Sequence, residues 1–285
     1  MKFLWLSAIS LSAALASACS SSDGSAPAET VYDHMGGEKG VKAVVADFLQ
    51  RVQADQNING YFLNASLDTT KLGDCLVKQI GNATGGPQTY DCRNMKDAHA
   101  NLSISQKDFD DLVSDLTEAL KAAKVAQADI DKILGVLGPM ADDIVKDKTS
   151  DGDIYQRAGR KPGIQALVTA FHTRVMGDTR IAHFFASSNA ERLATCLVRQ
   201  VCEKTGGPCI YGDEIPHAEP GVVSACQNMK DAHASLHVMK ADFDALVEDL
   251  VAEIDAAGVS VEDRDAIVGV LAPLCTDIVE GGVCG

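Results

Sequence analysis

The sequence predicts an all-α protein built from two tandem helical units, and three observations carry that prediction. Its 285 residues exceed one ordinary domain and suit two. Apolar residues recur at intervals of three and four, the helical period, and alternating strand-like runs are absent. Most decisively, the chain repeats itself: Asn94-Met95-Lys96-Asp97-Ala98-His99-Ala100 returns letter for letter at residues 228–234, 134 positions later. With 46% hydrophobic and 23% charged residues the chain has the means for a core, which excludes wholesale disorder. Forty acidic against 25 basic residues leave a net charge of −15. With no basic patch to neutralise phosphates, no nucleic-acid partner is expected.

Taken in order, residues 1–18 open with Lys2, continue through an apolar stretch and end in Ala16-Ser17-Ala18, the outline of a secretion signal with a small-residue cleavage site. Cys19 follows at once, and residues 19–30 read as a disordered tether. A cysteine at that junction resembles the lipobox of bacterial lipoproteins, although Ala16 stands where that pattern prefers leucine. Plain cleavage after Ala18 is the alternative. The expected location is the cell envelope, either the periplasm or a membrane reached only through a lipid on Cys19.

The first unit is expected over residues 31–148 and the second over 153–281, with the boundary in the polar stretch 147–152. Leu72, Leu76 and Ile80, with Cys75 beside them, make an apolar stripe that Leu193, Leu197 and Val201 repeat. Phe109, Leu112, Val113, Leu116 and Leu120 predict the next long helix. Ile130, Ile133, Leu134, Leu137, Met140 and Ile144 predict the last, kinked at Pro139 as its counterpart is at Pro273. Gly85-Gly86-Pro87 matches Gly206-Gly207-Pro208, and Phe48-x-x-Arg51-Val52 matches Phe171-x-x-Arg174-Val175.

In the first half the motifs are Tyr32, Gly36-Gly37, Phe48, Tyr61-Phe62, Gly85-Gly86-Pro87-x-x-Tyr90, Met95-x-x-x-His99 and Phe109. In the second they are Tyr155, Gly159, Phe171, Phe184-Phe185, Gly206-Gly207-Pro208, Met229-x-x-x-His233 and Phe243. In that combination each half resembles the group I truncated haemoglobins, small globins with a two-over-two helical sandwich around haem. The resemblance implies two b-type haems per chain, with His99 and His233 as the axial iron ligands. It implies that Phe62 and Phe185 stack on the porphyrin. Phe48, Phe171, Met95 and Met229 join the pocket lining by the same resemblance.

The distal side departs from the family. Where many members carry a tyrosine after the phenylalanine of the second helix, this chain has Leu49 and His172. Where they carry a glutamine on the middle helix, it has Leu72 and Leu76, then Leu193 and Leu197. Unit one thus lacks an obvious donor to a bound gas, a loss of about 1 kcal/mol in a dry pocket. His172 offers a donor, or a sixth iron ligand, in unit two.

Setting Cys19 aside leaves eight cysteines, an even number in an exported chain. Cys75 with Cys92 and Cys196 with Cys226 are duplicated in step, which suggests one bond per unit. Cys202 and Cys209 bracket Gly206-Gly207-Pro208, and Cys275 and Cys284 span the chain's end. A sharper alternative makes Cys75 and Cys196 thiolate ligands of iron. Residues 210–223 are an insertion of the second unit, expected to be a surface loop.

The leading functional expectation is an exported protein that binds oxygen or nitric oxide at two haem irons. Nitric oxide dioxygenation or peroxidase-like chemistry would need electrons, and the chain holds no flavin or nicotinamide motif, so any redox partner is unknown. The competing classes are an electron-transfer or haem-carrying protein and a haem-free, disulfide-stabilised interaction module.

Overall fold

The computed structural model describes residues 28–63, 67–146, 153–212 and 225–284. The signal, Cys19, the boundary stretch 147–152 and most of the insertion 210–223 lie outside the described residues. Unit one contains α1 (Val31–His34), α2 (Gly37–Ala54), α3 (Thr69–Ala83), α4 (Met95–His99), α5 (Gln106–Ala122), α6 (Gln127–Leu137) and α7 (Ala141–Ile144). Unit two repeats the series as α8 (Ile154–Arg157), α9 (Arg160–Gly177), α10 (Ala182–Phe185), α11 (Ala190–Lys204), α12 (Met229–His233), α13 (Lys240–Ala256), α14 (Val261–Leu271) and α15 (Cys275–Ile278). Where unit two has α10, unit one has a 3₁₀ turn, Asn59–Tyr61. No strand forms among the described residues, so the class is all-α.

In each unit two pairs of helices form two layers. α2 packs on α3 and α5, and α6 packs on α3 and α5; α9, α11, α13 and α14 repeat the arrangement. The apolar period explains it. Val41, Val45, Phe48 and Val52 put one face of α2 against Leu116 and Leu120 of α5, Ile130 and Ile133 of α6, and Ile80 of α3. In unit two Leu167, Ile254 and Ile267 join α9, α13 and α14 in the same way.

The expected kink at the prolines is a break. α6 ends at Leu137, Pro139 sits in a 3₁₀ turn over Gly138–Met140, and α7 starts afresh, so the predicted stripe to Ile144 spans two helices. Pro273 does the same in the turn Ala272–Leu274. Proline lacks the N–H of the next helical bond and its ring crowds the preceding turn, whereas the start of a new turn tolerates both.

The glycine pairs answer to packing. Gly85 and Gly206 hold φ of +86° and +96°. A Cβ on Gly86 would stand 2.5 Å from Tyr32 Cδ2, and one on Gly207 would stand 2.5 Å from Tyr155 Cδ2. These two tyrosines therefore set the close approach of the first short helix to the loop after α3 or α11.

Matched polar pairs tie that short helix to the last long one. His34 Nδ1 lies 2.7 Å from Asp129 Oδ2, and at the corresponding positions Arg157 Nη2 donates to Asp263 Oδ1 at 2.6 Å. The Arg157 guanidinium holds the Asp263 carboxyl below its ordinary value, against the opposing effect of burial. A depressed carboxylate stabilises the fold above its unfolded pKa of about 3.9 and loses that contribution as pH falls through the folded value. Asp263→Asn should accordingly cost stability at pH 7, with the cost shrinking as pH is lowered towards about 3. Urea unfolding of both proteins across that range checks it, and a pH-independent difference would contradict it.

Candidate functional site

The two copies of the repeated heptapeptide build the same object, a five-residue helix with a histidine at its end. Asn94 caps α4: its Oδ1 accepts the Asp97 N–H at 2.8 Å while its Nδ2 donates to Asp97 Oδ2 at 2.7 Å. Asn228 and Asp231 do the same for α12 at 2.9 and 2.7 Å. His99 Nδ1 lies 2.7 Å from the Met95 carbonyl, and His233 Nδ1 lies 2.7 Å from the Met229 carbonyl. A carbonyl only accepts, so Nδ1 carries a proton, and in the neutral ring the Nε2 lone pair is the one left free. This orientation of imidazole by its second nitrogen is what metal ligation uses.

Each short helix is pinned from two sides. α4 packs on α7 and α12 on α15. Disulfides Cys75–Cys92 and Cys196–Cys226 tie α3 and α11 to the segment two residues before each asparagine cap. Cys202–Cys209 and Cys275–Cys284 complete the four bonds, as their placement in the sequence suggested. The thiolate alternative for Cys75 and Cys196 is thereby overturned, because a disulfide sulfur carries no thiolate to offer.

The other candidates fall as follows. Phe48 is buried, and Leu49, Phe62 and Leu76 pack against the same core; Leu49 Cδ1 lies close to Gly73 of α3. Leu72 is half-buried on α3 outside that group. In unit two Phe171, Phe185 and Leu197 share one cluster, while His172 and Leu193 are half-buried on α9 and α11. Met95 joins Phe109 in a cluster beside α7, and Met229 is half-buried at the start of α12. A cavity of about 270 Å³ opens beside His233, lined also by Lys230, His237, Asp277, Val279 and Glu280.

Sequence reasoning passed over Gln79. Its Nε2 donates to Met140 Sδ at 3.0 Å and stands 3.8 Å from Met95 Sδ, linking α3 to α4 and to the turn after α6. The sequence held one signal, that both units carry glutamine four residues after the α3 or α11 cysteine; in the structure Gln200 is buried.

A family model described as bacterial-like globin matches residues 30–146 and again 153–280. The chain belongs to the bacterial-like globin family. Curated relatives of a single unit include the group 1 truncated haemoglobin of Mycolicibacterium paratuberculosis, 32% identical over 40% of this chain and 83% of that protein. Those of Tetrahymena pyriformis and a Nostoc species are 32% and 30% identical, each over 38% of this chain and 88% and 94% of their own lengths. A solved Fe(III) form of the Tetrahymena pyriformis protein is 28% identical, covering 41% of this chain and 98% of that one, with a TM-score of 0.39. The globin is thus present as two tandem copies.

In each globin one disulfide joins the middle helix, α3 or α11, to the segment just before the histidine helix. Replacing Cys75 and Cys92 together by serine should lower the stability of the first globin by about 2–4 kcal/mol. Denaturant unfolding with and without reductant checks this, and the double variant should lose only part of the wild type's sensitivity to reduction.

Proposed function

We propose that each globin unit holds one b-type haem through Nε2 of His99 or His233, and that the chain binds a diatomic gas, oxygen or nitric oxide. One observation carries the reading: in both copies the histidine is oriented by its backbone-bonded Nδ1, leaving the ligating nitrogen free. The fit of donor set to group supports it, since haem asks for one neutral imidazole nitrogen and an apolar enclosure. Phe48, Phe62, Leu49 and Leu76 supply that enclosure in unit one, and Phe171, Phe185 and Leu197 do so in unit two. When bound, the haem iron supplies the coordination position for the gas. The protein's own part is to hold the histidine, exclude water and set the polarity around the ligand.

That polarity differs between units. Leu49 neither donates nor ligates, so unit one is the weaker holder of oxygen. His172 gives unit two an imidazole that donates to the gas or occupies the iron itself. Six-coordination there favours the electron-transfer or haem-carrying reading for that unit. Export through residues 1–18, with Cys19 lipidated or at the mature N-terminus, places the protein in the cell envelope. The four disulfides support that placement, because such bonds persist in oxidising compartments.

Pyridine haemochrome assay of hemin-loaded protein should give about two haems per chain, falling by about one in each of His99→Ala and His233→Ala. A stoichiometry that neither substitution changes rules the ligands out. In His99→Ala protein, which isolates the second site, low-spin ferrous features should be present before gas is added and absent in the further variant His172→Leu. A high-spin second site before that substitution means that His172 does not ligate. A faster oxygen off-rate in the variant would then identify it as a donor.

A further inference from the structure

The turn that leads into Phe62 of the first unit is clasped by the second unit. A Cβ on Gly60 would come within 2.9 Å of Pro208 Cγ and 3.0 Å of the Pro208 carbonyl oxygen, so the turn lies close against Pro208 with no room for a side chain. Lys161 Nζ donates to Asn59 Oδ1 at 3.2 Å, and the Tyr155 hydroxyl stands 3.5 Å from the Asn57 carbonyl. The Tyr61 hydroxyl donates to Asp108 Oδ2 at 3.0 Å, and the same oxygen accepts from Gln156 Nε2 of the second unit at 2.9 Å. Asp108 Oδ1 accepts from Arg160 Nη2 at 2.6 Å, while Arg160 Nη1 pairs with Asp111. The Arg160 and Asp108 side chains are 2% and 0% exposed, so the pair at the centre of the network is sealed from water. Tyr61 itself packs both against the central core of unit one and against the cluster that holds Met95.

Comparison of the two units isolates what is special here. Arg160 occupies the position that Gly37 holds in unit one, and both adopt the left-handed conformation, with φ of +61° and +67°. Glycine takes that conformation freely and arginine does not. Tyr61 corresponds to Phe184, which has no hydroxyl, so the polar link exists only in the first unit. A strained arginine in one unit thus meets, through Asp108, a hydroxyl found only in the other.

We propose that Arg160 of the second unit is a positioning residue for the haem pocket of the first: through Asp108 it holds Tyr61, and with it the adjoining Phe62, in place. The inference rests on the reading above that Phe62 is a wall of that pocket.

The test uses the full chain loaded with hemin and measures hemin loss to excess apomyoglobin. In a His233→Ala background, which isolates the first site, Arg160→Gly should speed hemin loss about tenfold. That substitution supplies the residue unit one already uses in this conformation. Tyr61→Phe should act similarly, and the two together should do no more than either alone. Arg160→Lys keeps the charge without the two-pronged guanidinium and should give an intermediate rate. In a His99→Ala background the second site should change by about twofold or less. An equal acceleration at both sites, additive effects of Arg160→Gly and Tyr61→Phe, or no effect at all would each overturn the proposal.

Hydrogen exchange on the hemin-free chain separates this outcome from the haem reading. Arg160→Gly should deprotect the amides of residues 57–63 and leave the middle of α2 and α5 protected. If hemin binds neither unit yet this local loss appears, the haem assignment fails while the clasp on the turn stands. Unchanged exchange, or loss across the whole unit, overturns the clasp.

Discussion

Both globins hang on a helix too short to exist alone. Isolated helices below about 12 residues are marginal in water, because nucleation costs more than a few hydrogen bonds return. α4 and α12 have five residues each, yet the candidate iron ligand stands at their ends. The structure compensates from outside: an asparagine cap, a histidine ring bonded back to the first carbonyl, a disulfide just upstream, and a neighbouring short helix. This explains why asparagine, aspartate and histidine recur in the heptapeptide, since cap, capped N–H and ligand are one unit. Nothing in the structure explains the identity of Lys96 or Ala100 with their counterparts.

The duplication also shows one mechanical task met by two chemistries. In unit one the Gln88 side chain lies against Gly81, where a Cβ would come within 2.5 Å of its Oε1, and its amide donates to the Tyr32 hydroxyl at 2.9 Å. In unit two the positions of Gly81 and Gln88 are Cys202 and Cys209, joined by a disulfide. A hydrogen-bonded amide wedge and a covalent bond thus secure the same loop against the same buried tyrosine. Similarly, His34–Asp129 becomes Arg157–Asp263, turning a pair charged only when histidine is protonated into a permanent one.

Much of this was legible in the sequence because repetition is a stronger signal than periodicity. The repeated heptapeptide located both histidines, and cysteines duplicated in step indicated two of the disulfide pairings. Helical spacing found α5 but ran through Pro139, since apolar residues at Met140 and Ile144 keep the period after the backbone has broken. Gln79 was missed for a different reason: the duplicated spacing from cysteine to glutamine marks the residue, but its partners are two methionine sulfurs distant in the chain, which no local pattern announces. The contacts between the units were illegible altogether, because Asp108 reads as an ordinary helix-start residue and Arg160 as a surface charge.

The energetics of that contact argue for specificity over stability. Holding a non-glycine residue left-handed costs about 1–2 kcal/mol. Burying a guanidinium costs more, and Arg160 Nε finds no partner among the described residues. Replacing a buried ion pair by packed apolar residues is often neutral or stabilising, so the pair is not the cheapest way to join two units. What it supplies is direction. Asp108 Oδ2 accepts from Ser105 at the start of α5, from Tyr61 beside the candidate pocket, and from Gln156 of the second unit, while Arg160 fixes Oδ1. An apolar seam tolerates sliding, whereas a carboxylate with fixed donors on both oxygens accepts one orientation. The position of the second globin is thereby written into the turn that carries Tyr61 and Phe62 of the first. The duplicated units are parts of one arrangement, not two beads on a string.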